Sequence, residues 1–107
     1  MQTSKLFAKL PENLVCTPDG MTIDANDNLI LACPNFADLS MPSCVLKLDK
    51  EGNAKHWFDV PVNPYSGEAR AMGIEFGPDG DLFLVNNAGW TGKPNMVYTG
   101  RILRLKV

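Results

Sequence analysis

A chain of 107 residues, 45% of them hydrophobic and 21% charged, has the composition of one folded domain rather than of a disordered segment. Its formal charge of -2 supplies no field that would concentrate nucleic acid or an anionic membrane surface, so neither is an expected partner. The 9 Gly and 8 Pro punctuate the sequence as many short strands and turns require, which favours β structure over helix.

In chain order, the first apolar stretch is broken by Lys5 and Lys9 and does not form a signal-peptide core. No stretch approaches the roughly 18 apolar residues of a membrane span, and the chain as written reads as cytoplasmic, although secretion of a longer parent stays open. Lys5-Leu6-Phe7-Ala8-Lys9-Leu10 reads as a lone outer strand. Cys16, Cys33 and Cys44 are odd in number and include no C-x-x-C pair. They are therefore expected as small buried hydrophobes, not as a disulfide framework or a zinc site.

Gly20 opens the first of two matching segments. Residues 20–32 align without a gap on residues 73–85, 53 positions later. Each has a glycine, an alternating strand, a polar turn and a second apolar strand, the pattern of a β-hairpin. Downstream, Val45-Leu46-Lys47-Leu48 matches Ile102-Leu103-Arg104-Leu105 at a spacing of 57, so the second copy carries its extra length in the long connection between these strands. The first copy is read as strands a (20–24), b (29–33), c (45–49) and d (54–60). The second supplies a, b and c.

A repeated four-stranded meander cannot cover both of its faces and stacks on a neighbour, so the expected architecture is all-β, made of β-propeller blades. A single small sandwich is the alternative. One partial domain spans 1–107: the outer strand 5–10, a first blade 20–60, and a second blade 73–107 without its outer strand, in the order d, abcd, abc. Propellers close with about 4 to 8 blades, so two blades form an incomplete ring. The remainder belongs either to a longer chain or to further copies in a homo-oligomer, three of which would supply six blades.

Pro18-Asp19-Gly20-Met21-Thr22-Ile23-Asp24-Ala25, followed by Asn28-Leu29-Ile30-Leu31-Ala32-Cys33, resembles the senescence-marker/gluconolactonase/lactonase family of six-bladed propellers. The segment from Gly73 to Val85 looks like another blade of the same kind. The resemblance implies a divalent cation, usually calcium, at the mouth of a central tunnel, and hydrolysis of lactones. It also implies that a metal ligand stands just before the glycine that opens strand a. Here that residue is Asp19, a carboxylate of the sort a hard cation takes, although Asp also suits a Pro-Asp-Gly turn for backbone reasons alone. The corresponding residue of the second blade is Met72, which cannot ligate such a cation. Asp79, in the second Pro-Asp-Gly, aligns with the a–b turn and is read as a turn residue at the opposite end of the blade.

The connections sharing an end with Asp19 are expected at residues 16–19, 34–44, 65–72 and 86–99. They offer Asn35, Asp38, Glu68, Arg70, Asn86, Asn87 and Trp90 as candidate substrate contacts, with the Asn pair and Trp90 placed to hold a ring-shaped lactone. His56, the single histidine, falls on an outer strand and is not expected to be catalytic. No Gly-x-Ser-x-Gly elbow, phosphate loop or zinc-ligand pair appears, so a catalytic residue is not assigned. The alternative function is a non-catalytic propeller scaffold or ligand-binding module.

Overall fold

A computed structural model of the chain describes residues 3–10, 12, 16–35, 40–62, 70–87 and 101–107. Among them there are seven strands and no helix: β1 (Met21–Ile23), β2 (Leu29–Cys33), β3 (Cys44–Leu48), β4 (Ala54–Asp59), β5 (Arg70–Phe76), β6 (Leu82–Asn87) and β7 (Arg101–Leu105). They form two antiparallel sheets in sequential order, β1-β2-β3-β4 and β5-β6-β7. The protein is thus all-β.

Three hairpin turns share one hydrogen-bonding scheme. The amides of Asp24, Asp49 and Gly77 each donate to the carbonyl four residues on, and the amide three residues on donates back, at 2.8–3.1 Å. The fourth residue of each turn has a left-handed backbone, with φ of 64° at Asp27, 86° at Gly52 and 81° at Gly80. Asp and Gly tolerate this conformation better than other residues, which is why these stretches turn where the strands on either side extend. In two of the turns an Asp side chain completes the scheme: Oδ1 of Asp24 accepts from the amides of Asn26 and Asn28, and Oδ1 of Asp49 from those of Glu51 and Asn53.

The sheets stack through one face of each. Ile30, Ala32 and Val45 from the first sheet meet Ala71, Ile74, Leu82 and Leu84 from the second, with Trp57, Phe58, Leu103 and Leu105 at the margins. Each fully buried Val, Ile or Leu side chain here contributes roughly 1.5–3 kcal/mol. A bulge helps to close the layer. Val45 pairs with Phe58 and Leu46 with His56, so Trp57 is an extra residue in β4, and both Trp57 and Phe58 pack against the inter-sheet cluster.

The opposite face of the first sheet, Leu31, Cys33, Cys44, Leu46 and Leu48, is covered by Ala8, Leu10 and Cys16. Residues 5–10, expected as an outer strand, are in neither sheet; they lie across this face as part of an irregular segment. Burying two apolar side chains on the sheet takes the place of edge pairing. The second sheet also differs at its ends from expectation. β5 starts at Arg70 and β6 runs to Asn87, because Arg70 and Ala71 pair with Asn87 and Asn86 beyond a bulge at residues 72–73.

The sequence expectation is overturned for two of the three cysteines. Cys16 and Cys33 form a disulfide with a Cα–Cα distance of 5.4 Å, and Cys44 remains a buried free thiol. The pairing depends on residues 16–20 returning along β2, a tertiary proximity that a separation of 17 residues does not reveal.

Candidate functional site

Asp19 sits where the inner strands of the two sheets, β1 and β5, approach each other. Its amide donates to the Ala32 carbonyl at 2.9 Å, and the next amide, Gly20, crosses to the other sheet and donates to the Met72 carbonyl at 2.9 Å. The approach is so close that a Cβ on Gly20 would overlap the Met72 oxygen, so only glycine fits. Behind Asp19, the Cys16–Cys33 disulfide ties the same segment to β2. The Asp19 residue itself is exposed. A fixed backbone therefore presents an accessible carboxylate at the seam between the sheets.

The remaining candidates have different placements. Asn35 is buried with a left-handed φ of 60°; its Oδ1 accepts from the Thr17 amide at 3.0 Å and its Nδ2 donates to the Pro42 carbonyl at 2.7 Å. It orders the segment that carries Asp19 and makes no open surface. Arg70 is buried at the start of β5, and its Nη1 donates to the carbonyls of Pro34 and Met41 at 2.9 and 3.0 Å. Asn86 and Asn87 end β6 instead of opening a loop. Asp38, Glu68 and Trp90 lie outside the described residues. Asp19, Asn35 and Arg70 thus belong to one end of the sheets, but only Asp19 faces solvent.

Asp79 is in the turn at the other end, as expected from its alignment. His56 is exposed on β4, with Nε2 at 2.7 Å from Asp59 Oδ1. Among the described residues, no group of three His, Cys, Asp or Glu side chains is placed to hold a metal ion. The oxygen of Asp19 fits a hard cation, whereas Met72 across the seam offers only its backbone carbonyl, already used by Gly20.

Sequence reasoning missed Ser43. It is fully buried, its hydroxyl donates to the Cys33 carbonyl at 2.9 Å and accepts from the Ala71 amide at 3.0 Å, and so it joins the sheets beside Arg70. A serine just before an apolar strand gives no sequence signal of such a role. Also unforeseen is a cleft of about 410 Å³ at the turn end, lined by Asp24, Lys47, Trp57, Phe76, Pro78 and Val107. There Lys47 Nζ stands 4.0 Å from the Trp57 ring centroid and 3.8 Å from Asp24 Oδ2.

Two groups in these networks have displaced ionisation. Burial pushes the Asp24 carboxyl up, but hydrogen bonds from Asn28 and from the Asn26 amide, with the Lys47 charge, outweigh it and hold the group below the usual carboxylate range. Burial pushes the Cys44 thiol up, against a hydrogen bond from Asn35 and with the Asp59 charge adding to the rise. Cys44 is consequently a protonated core thiol at neutral pH.

Compared with protein-family models, with curated proteins and with solved structures, the chain matches none.

Proposed function

We propose that the chain is a segment of a lactonase-like β-propeller hydrolase, contributing two blades and one carboxylate, Asp19, to a divalent-cation site completed by other blades. The observation that carries the reading is the exposed Asp19 on a backbone pinned to both sheets through Ala32 and Met72. The shared turn scheme and the sequential antiparallel order of both sheets support repeated blades. Calcium bound there would polarise a lactone carbonyl as a Lewis acid. The chain's own part is positional: Gly20 allows the seam to close, Asn35 and the disulfide order the approach, and Asp19 presents its oxygens at a fixed point.

The test is calcium titration of the assembled protein in which the completing blades are present, followed at the Asp19 and Gly20 amides by NMR, together with a lactone hydrolysis assay. Calcium is expected to shift these amides in the native chain, Asp19→Asn is expected to abolish the shift, and any calcium-stimulated hydrolysis is expected to fall at least tenfold. Identical calcium response and hydrolysis in the Asn variant would refute the reading.

The second reading is a non-catalytic scaffold or ligand-binding module. Its specific support is the cleft beside Trp57 and Lys47, whose apolar wall and Asp24–Lys47 pair suit a small apolar ligand with a polar edge. Ligand binding that is independent of calcium and sensitive to Lys47→Ala distinguishes it from the first.

A further inference from the structure

The two sheets use their faces in a directional way. Matched at the 53- and 57-residue spacings, Ile30, Ala32 and Val45, by which the first sheet meets the second, correspond to Phe83, Val85 and Ile102. In the second sheet that face is largely open: Val85 is 48% exposed and Ile102 is 71% exposed, with Phe83 half-buried. Conversely Leu82, Leu84, Leu103 and Leu105, by which the second sheet meets the first, correspond to Leu29, Leu31, Leu46 and Leu48. That leucine face of the first sheet is covered by the short segment containing Ala8 and Leu10, with Cys16 beside them.

Inside the chain, then, a branched face and a leucine face form a packed pair. A second such pair is available between molecules, from the open branched face of one copy and the leucine face of another. We infer that a second copy of this chain docks head to tail on the outer face of the second sheet, through the leucine face of its own first sheet. On docking, residues 3–10 of the incoming copy leave that face and add to the edge of β7, whose neighbour among the described residues is β6 alone. The segment is lightly held where it lies: Leu6 is 77% exposed and Phe7 54%. An exposed apolar face beside an open strand edge is a surface that soluble proteins cover, and a heterologous contact of this kind builds a ring if its rotation closes and a filament if it does not.

The inference stands on sheet geometry and is independent of the cation reading, so it is tested with a chelator present throughout. Light scattering coupled to gel filtration is expected to give a mass that is a multiple of 11.7 kDa for the 107-residue chain at micromolar concentration. Ile102→Asp, in the face, and Leu6→Asp, in the exchanged segment, are each expected to return it to a monomer. Because both side chains are largely exposed within one copy, circular dichroism and cooperative melting of the monomers are expected to be retained. A wild-type chain that stays monomeric at every concentration overturns the inference, as does an assembly indifferent to both substitutions.

Discussion

Several acidic side chains in strands and turns are held by specific partners. Glu75 Oε1 accepts from the Thr22 hydroxyl at 2.6 Å, linking β5 to β1, and this bond, with the Phe76 amide, holds its carboxyl below the usual range. Asp81 accepts from Lys106 and Arg104, which depress its carboxyl in the same direction, and Asp24 behaves likewise through Asn28. A carboxyl whose folded pKa lies below its unfolded value binds fewer protons when folded, so its contribution is complete above the unfolded value of about 4 and is lost as pH falls through the depressed folded value. The melting temperature is therefore expected to fall steeply below about pH 4, and Glu75→Gln is expected to lower it at neutral pH while making the acid-side fall shallower. Melting curves at stepped pH check both. The Glu75 partner is not legible beforehand, since Thr22 and Glu75 are 53 residues apart and meet only because the two sheets stack.

The strands were the most legible elements. Their alternation placed β2, β3 and β4 within a residue of where they lie, and the polar turns fell where Asp, Asn and Gly permit a left-handed residue. What alternation cannot supply is an edge partner, and so Lys5 to Leu10, patterned like a strand, instead lies across a sheet face. Bulges were equally hidden, because one additional residue in β4 or β5 changes pairing without changing the apolar pattern. The segment that carries Asp19 shows the same limit. Its glycine and aspartate were visible, but the disulfide that anchors it was not. For a closed loop of about 15 residues a disulfide contributes ~3 kcal/mol. Reduction of Cys16–Cys33 is accordingly expected to lower unfolding free energy by about that amount, measured by urea unfolding with and without a phosphine reductant.

At the scale of the molecule, the two sheets are joined by an apolar layer along their length and by backbone contact at the seam. Gly20→Ala sets a methyl group against the Met72 carbonyl, a backbone atom that cannot rotate aside, so β1 and β5 must part. A loss of about 1–3 kcal/mol is expected in denaturant unfolding, as for other overpacked sites, with faster hydrogen exchange at the Gly20 amide as the local signature. The clasp of Arg70 and Ser43 acts on a different property. Leucine, isoleucine and valine surfaces can slide past one another by a residue with little penalty, whereas a guanidinium aimed at the carbonyls of Pro34 and Met41, and a hydroxyl shared between Cys33 and Ala71, accept a single alignment. Their contribution is to specificity, as a vernier fixes a scale: of the many ways the sheets could lie together, they retain the one that brings Gly20 opposite Met72 and leaves the Asp19 carboxylate at the surface.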